Sequence, residues 1–203
     1  MQLATLPTPD QRSADILGRV RSAFAEKGFD GASMQDLARS AGMSVGNFYR
    51  YFPSKAAIIE AMINLDLAEI ERDFATVLTS PTPFARLRQM IRQRICEHQN
   101  CHDGQLWAEI SAVAQRKPEI AAISCRMETA IATNLTAVFA QETGFTPAEA
   151  LRRFQAQAAY IVLLVKSSAM VSPDAALHHD LTALIIRTID QTLDEISSAS
   201  AKG

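Results

Sequence analysis

The densest run of side chains able to make directed polar contacts lies between Ser33 and Lys55, SMQDLARSAGMSVGNFYRYFPSK. Hydroxyls (Ser33, Ser44, Tyr49, Tyr51), an amide (Asn47) and two cations (Arg50, Lys55) crowd into it beside the small residues Val45 and Gly46. Such a set suits contact with a polyanion and with base edges. Ser44 can cap a helix and offer its hydroxyl or backbone N–H to a phosphate, because a helix N-terminus favours anions. Short side chains at Val45 and Gly46 let the backbone approach bases, and Val45 suits a thymine methyl. Tyr49 and Arg50 follow one turn later and share that face. Tyr51 and Lys55 lie near the exit, within reach of phosphates, while Ser33, Met34 and Gln35 open the preceding helix. Phe48 reads as a core plug. The plainer alternative is a helical corner whose aromatic residues only pack.

A second cluster, Cys96-Glu-His98-Gln-Asn-Cys101-His102, puts two thiols and two imidazoles within seven residues. Its spacing matches no standard zinc pattern, and helical geometry sends Cys96 and His98 to different faces. We expect no metal and no cofactor there. Three cysteines are too few and too odd for a disulfide scaffold, which suits a reduced cytoplasmic protein. The N-terminus lacks a signal-peptide pattern, and the longest apolar run, Ala158 to Val165, is eight residues, far short of a membrane span. An enzyme finds little support, since there is no Gly-rich phosphate loop, metal triad or nucleophile motif.

The elements that must position these residues are helical throughout, and no strand pattern competes. The expected fold class is all-α, with about nine helices in 203 residues. Thr8-Pro9, Thr82-Pro83, Thr146-Pro147 and Ser172-Pro173 each fit a helix start, hydroxyl at the N-cap and proline at the first helical position. Gln11 and Glu149 complete capping boxes with Thr8 and Thr146. The first helix is expected over 9–27, with Ile16, Leu17, Val20 and Phe24 as its apolar stripe. Gly28 ends it in a left-handed cap, and Phe29 folds back. A second helix starts at Ser33 and stops before Gly42. A third runs from Ser44 to about Phe52, and a long fourth from Ser54 to near Thr79. Later helices are read at 83–100, 105–116, 118–142, 147–171 and 174–197. The working division is a head over 9–53 and a body over 54–198. The first 55 residues carry seven Lys/Arg against five Asp/Glu, and the remainder is net acidic, as suits a DNA head on a body that avoids DNA.

The stretch ILGRVRSAFAEKGFDGASMQDLARSAGMSVGNFYRYFPSKAAIIE closely resembles the N-terminal domain of TetR-family transcriptional regulators. The resemblance lies in the FAEKGF turn, the S-M-Q-D-L-A start, A-G-M-S before the recognition helix and F-Y-x-x-F-P-S-K after it. It implies a ligand-responsive regulator, a homodimer whose recognition helices enter successive major grooves of a near-palindromic double-stranded DNA operator. It also implies a divergent C-terminal domain that binds a small-molecule effector and releases DNA. By position, Val45, Gly46, Tyr49 and Arg50 would face bases, and Ser33, Ser44, Tyr51 and Lys55 phosphates. Many relatives carry Lys or Arg where Val45 stands and Thr where Asn47 stands, so their operators do not transfer. A helical ligand-binding or scaffolding protein that has lost DNA binding is the alternative.

In the body, Phe84, Leu87, Ile91, Ile95 and His98 form an inward stripe, as do Trp107 with Ile110, and Ile120, Ile123, Met127, Ile131 and Asn134. Most such positions only pack. Met90, Arg94, His98, Trp107, Met127 and Asn134 are the candidate effector-pocket residues, since pliable methionines and inward polar groups suit a ligand site. The run AAYIVLLV is apolar all round, so both its sides should be covered. With the stripe Leu177, Leu181, Leu184, Ile185, Ile189 and Leu193 it suggests a four-helix homodimer seam, for which Ala158, Ile161, Val165, Leu181, Ile185 and Ile189 are the candidates.

Overall fold

The computed structural model describes residues 9–100, 103–171 and 176–199. Among them run nine α-helices and no strand: α1 Pro9–Gly31, α2 Met34–Ser40, α3 Val45–Tyr51, α4 Lys55–Leu78, α5 Pro83–Asn100, α6 Asp103–Ala114, α7 Pro118–Thr143, α8 Pro147–Ser168 and α9 His178–Ser198. The Thr8 and Ser172-Pro173 helix starts, Cys101, His102 and the side chain of His98 lie outside the described residues.

Local signals set most boundaries. Gly28 breaks α1 at φ 71° and ψ 168°, a conformation in which a side chain would be strained. The chain turns back there, and the Phe29 ring stacks on Phe24 with centroids 5.9 Å apart. Ser33, Ser44 and Ser54 each cap a helix by accepting a hydrogen bond from an amide three residues on. The reciprocal capping box is made by Ser33 with Asp36. At Thr146 the hydroxyl accepts from the Glu149 amide, while the Glu149 carboxylate holds Arg152 and Arg153. Two guanidinium forks within one turn out-compete a single backbone N–H for that charge.

Two other ends differ from their expected positions. Helix α8 stops at Ser168 rather than 171, and α6 begins at Asp103 rather than 105. The two ends meet so closely that a Cβ built on Gly104 would lie 2.0 Å from the Ala169 carbonyl oxygen.

Two hydrophobic cores stack along the molecule. The first joins α1–α3 to the first half of α4 (Ile58, Ile59, Met62, Ile63), to α6 (Leu106, Ile110, Val113) and to the start of α7 (Ile120, Ile123, Met127). This core therefore runs straight across position 53/54. The second gathers the end of α4, α5, the rest of α7, α8 and α9 around Phe74, Phe84, Phe139 and Phe154. Ile70 and Ile131 pack against both.

Candidate nucleic-acid interface and internal cavity

Helix α3 is anchored by its aromatic residues and open on its other side. Phe48 is fully buried and Phe52 nearly so, with ring centroids 5.4 Å apart. That anchor turns the opposite face outward. Val45 is 39% exposed, Tyr49 47% and Tyr51 49%, and Ser44, Gly46, Asn47 and Arg50 are exposed beside them. The turn before α3 holds Gly42 at φ 68°, which gives the tight reversal between α2 and α3. A Cβ at Gly46 would meet nothing within 4 Å. The fold itself does not require glycine there, so its smallness is left to serve whatever approaches the helix.

The candidate base-contact residues Val45, Gly46, Tyr49 and Arg50 are thus brought onto one open face. Of the candidate phosphate contacts, Ser44 and Tyr51 stay on the surface, and the Ser44 oxygen accepts from the Asn47 amide at 3.4 Å. Ser33 and Lys55 are engaged elsewhere. The Ser33 hydroxyl donates to Asp36 Oδ2 (2.6 Å) and its amide donates to the same oxygen (3.1 Å). A phosphate at that point would compete with a carboxylate for both donors. The Lys55 ammonium donates to the carbonyls of Phe29 (2.6 Å) and Asp30 (3.2 Å) and lies 5.2 Å from the Phe29 ring centre. Two of its three donors are thus spent closing the end of α1.

Asp36 is the electrostatic hub of the head. The Ser33 hydroxyl, then the Lys27 ammonium at 3.0 Å, then the Ser33 amide hold its carboxyl far below the ordinary aspartate range. Because Lys27 takes this carboxylate, Arg39 is left 4.0 Å from it with a side chain 82% exposed. Arg39, and Arg19, whose guanidinium reaches the Gly42 turn, are exposed cations that the motif does not single out. The signal in the sequence is an arginine whose nearest acid already has a closer partner.

The head is tied to the body at several points. The Phe29 amide donates to Glu109 Oε1 of α6 at 2.7 Å. Arg21 of α1 pairs with Asp66 of α4, and Arg116 and Lys117 pair with Asp30 at 3.4 and 3.9 Å.

Between the two cores lies a cavity of about 150 Å³. Its walls draw Ile110 and Met127 from the first core and Phe74, Ile91, Leu135 and Ile161 from the second. Of the candidate pocket residues, Met90, Arg94, Trp107 and Met127 line it. Asn134 is half-buried outside the lining, and the side chain of His98 lies outside the described residues. Most of the polar wall was not expected from sequence. Asp66 faces the cavity while holding Arg21, Arg94 pairs with Asp73 at 2.8 Å, and Lys166 pairs with Glu128 at 2.7 Å. Ser124 also faces it, its hydroxyl buried with no partner among the described residues. These pairings join residues 21 to 45 positions apart, beyond the reach of any local pattern.

The candidate seam residues split. Ala158, Ile161, Ile185 and Ile189 are buried within the chain's own core, and Val165 lines the cavity. Each helix spends one side on the fold beneath it, which an all-apolar run conceals. Leu181 stays exposed, together with Tyr160, Leu163 (57%), Leu177 and Leu184 (50%). Among the described residues no group of three or more His, Cys, Asp or Glu is placed to hold a metal, and no helix is long and apolar enough to cross a membrane.

A family model described as "Bacterial regulatory proteins, tetR family" matches residues 16–62. The HTH-type transcriptional regulator UidR of Escherichia coli (strain K12) is 32% identical over 124 residues, 61% of this chain and 60% of that one. The chain thus spans three-fifths of that relative's length. The HTH-type transcriptional regulator EthR of Mycolicibacterium smegmatis is 35% identical over 74 residues, 36% of this chain and 34% of its own. Among solved structures, Salmonella enterica GusR superposes with a TM-score of 0.66 at 21% identity, covering 94% of this chain and 100% of its own. A transcriptional regulator from Rhodococcus sp. Rha1 gives 0.69 at 22%, covering 90% and 96%. The all-helical fold is therefore shared over nearly the whole chain, and UidR and EthR are named as HTH-type transcriptional regulators. Residues 16–62 thus match the DNA-binding domain model of the tetR family of bacterial regulatory proteins, and the rest of the chain shares its all-helical fold with the solved structures.

Proposed function

We propose that this chain is a homodimeric DNA-binding repressor of the cytoplasm that leaves a near-palindromic operator when a small molecule fills its cavity. The observation that carries the reading is the open face of α3, where Val45, Gly46, Tyr49 and Arg50 stand outward while Phe48 holds the helix from behind. A helix held this way fits the major groove, with its N-terminal residues on base edges. Ser44, Tyr51 and the exposed Arg39 supply backbone contacts, and Ser33 and Lys55 keep the head in shape.

The outward leucines of α8 and α9 support the dimer. Tyr160, Leu163, Leu181 and Leu184 are too apolar to face water together and would meet their own copies across a twofold axis. Two heads would then sit about one DNA turn apart, roughly 34–36 Å. The division at 53/54 is one of task, since a single core spans it.

The cavity supports ligand control by its position. It separates the core that contains the head from the core under the leucine face. Asp66 on its wall holds α1 through Arg21, and Glu109, between the wall residues Trp107 and Ile110, holds Phe29. Filling the seam would shift the head relative to the dimer axis. A coupling of only about 1–3 kcal/mol changes operator affinity about 5- to 150-fold.

Selection of bound sequences from random DNA tests the reading, followed by gel shifts with Tyr49→Ala and Arg50→Ala. The expected result is an enriched inverted repeat with half-sites one turn apart. Each substitution should weaken binding by about 1–3 kcal/mol without lowering the melting temperature. No enrichment, or unchanged affinity in both variants, would refute it.

A further inference from the structure

We propose that the cavity takes a small, neutral, mostly apolar molecule carrying one hydroxyl or carbonyl, directed at the hydroxyl of Ser124. The inference rests on the cavity being the effector site and names the chemistry it selects. Three observations define that chemistry.

The first is size. The cavity measures about 150 Å³ and its walls are chiefly Ile, Leu, Val, Phe and Met side chains. An enclosed apolar cavity of that volume holds one benzene-sized molecule, about six to nine non-hydrogen atoms; here that describes the apolar part, since a polar groove shares Asp73, Met90 and Arg94 with it.

The second is charge. Every charged side chain on the wall has an opposite partner: Asp66 with Arg21, Asp73 with Arg94, Glu128 with Lys166. An anionic ligand would have to draw Arg94 or Lys166 away from its carboxylate, and a cationic ligand would have to draw the carboxylate away. Either exchange breaks an existing ion pair; Asp73 and Glu128 keep 47% and 46% of their side-chain surface in water, so the cost is moderate there and largest at Asp66, whose pair with Arg21 is mostly buried. A neutral molecule disturbs none of the pairs.

The third is the hydroxyl of Ser124. Hydroxyls inside a helical protein ordinarily donate back to a carbonyl three or four residues earlier. Ser111 on the same wall does so to Trp107 (2.7 Å), Thr143 to Phe139 (2.7 Å) and Ser168 to Val165 (2.7 Å). Ser124 makes no such bond although its oxygen is buried. Buried polar groups are almost always paired, so an unpaired one on a cavity wall marks where a ligand's polar group belongs. The other buried side-chain atom without a partner among the described residues, Gln157 Oε1, belongs to a residue of the outer groove between α8 and α9 and does not compete for this role.

Trp107 is the only tryptophan and lines the cavity, so its fluorescence reports filling directly. The test titrates the full chain, without DNA, with cyclohexanol, methylcyclohexane, cyclohexanecarboxylate and cyclohexylammonium, none of which absorbs with tryptophan. Cyclohexanol is expected to bind tightest and the two ions not to bind. In Ser124→Ala, cyclohexanol should weaken by about five- to tenfold, the effect of one hydrogen bond, while methylcyclohexane stays within about twofold. The proposal is overturned if either ion binds as well as cyclohexanol, if no probe binds, or if Ser124→Ala leaves cyclohexanol unchanged or weakens both neutral probes alike. The four-probe comparison on the unaltered chain needs no variant, so it decides the question of charge however Ser124→Ala folds. Because DNA is absent, failure here leaves the DNA-binding reading standing, and loss of DNA binding leaves this one standing.

Discussion

Glu109 offers a direct way to weaken the tie between head and body. Its Oε1 accepts the Phe29 amide at 2.7 Å, one residue beyond the break at Gly28, and lies 3.2 Å from where a Cβ on Gly28 would stand. Glu109→Ala removes the acceptor and leaves that amide to water. A hydrogen bond to a charged group contributes about 1.5–3 kcal/mol, and the site is only part-buried, so the low end, about 1.5 kcal/mol, applies. For a chain of this length each kcal/mol moves the melting temperature by about 2–4 °C, so Glu109→Ala should lower it by about 3–6 °C. Glu109→Gln keeps a neutral acceptor in the same place and should lose roughly half as much. Amide hydrogen exchange localises the effect: Phe29 should exchange about tenfold faster in the alanine variant, while amides around Phe139 in the second core keep their rates. An unchanged melting temperature together with an unchanged Phe29 rate would refute the claim that this bond holds the head.

Three further outcomes are expected. Asp36→Asn should lower stability at neutral pH. Because Ser33 and Lys27 depress the folded carboxyl, its contribution is complete above the unfolded value and fades as pH falls below about 4, so melts of the two proteins should converge in acid. Gly104→Ala forces a Cβ to 2.0 Å from the Ala169 carbonyl, where contacts under 3.0 Å are essentially never seen, so α6 and α8 must part; about 1–3 kcal/mol of stability should be lost, read by chemical denaturation, and a variant as stable as the parent would contradict that packing. Leu163→Glu with Leu184→Glu places four like charges in the proposed twofold seam and should yield a folded monomer by sedimentation, whereas a dimer that persists would move the interface elsewhere.

The fold is most legible in the sequence where the physics is local. Gly28, Ser33, Ser44, Ser54 and Thr146 mark helix ends through backbone freedom and capping bonds that span three or four residues. The stripe Ile16, Leu17, Val20 and Phe24 needs only helical spacing to be seen as inward. The open face of α3 is legible because Phe48 and Phe52 claim one side and so assign the other.

Legibility falls where one group has a choice of partners. Lys55 and Ser33 suit phosphate contacts by type, yet the Phe29 and Asp30 carbonyls and the Asp36 carboxylate reach them first. Ala158 and Ile161 resemble a seam because the run around them is apolar on all sides. Pattern alone does not say which side meets the chain's own helices.

Sequence by itself determined the all-helical class, the short corner that presents α3 and the residues that corner exposes. These follow from propensity, capping and periodicity, which act along a few neighbouring positions. Tertiary structure alone decided that one core crosses the head–body boundary, that Asp66, Asp73 and Glu128 are neutralised around a cavity, and that Ser124 keeps an unused hydroxyl on its wall. Those outcomes depend on which helices pack together, and the energies that select them come from contacts between residues tens of positions apart.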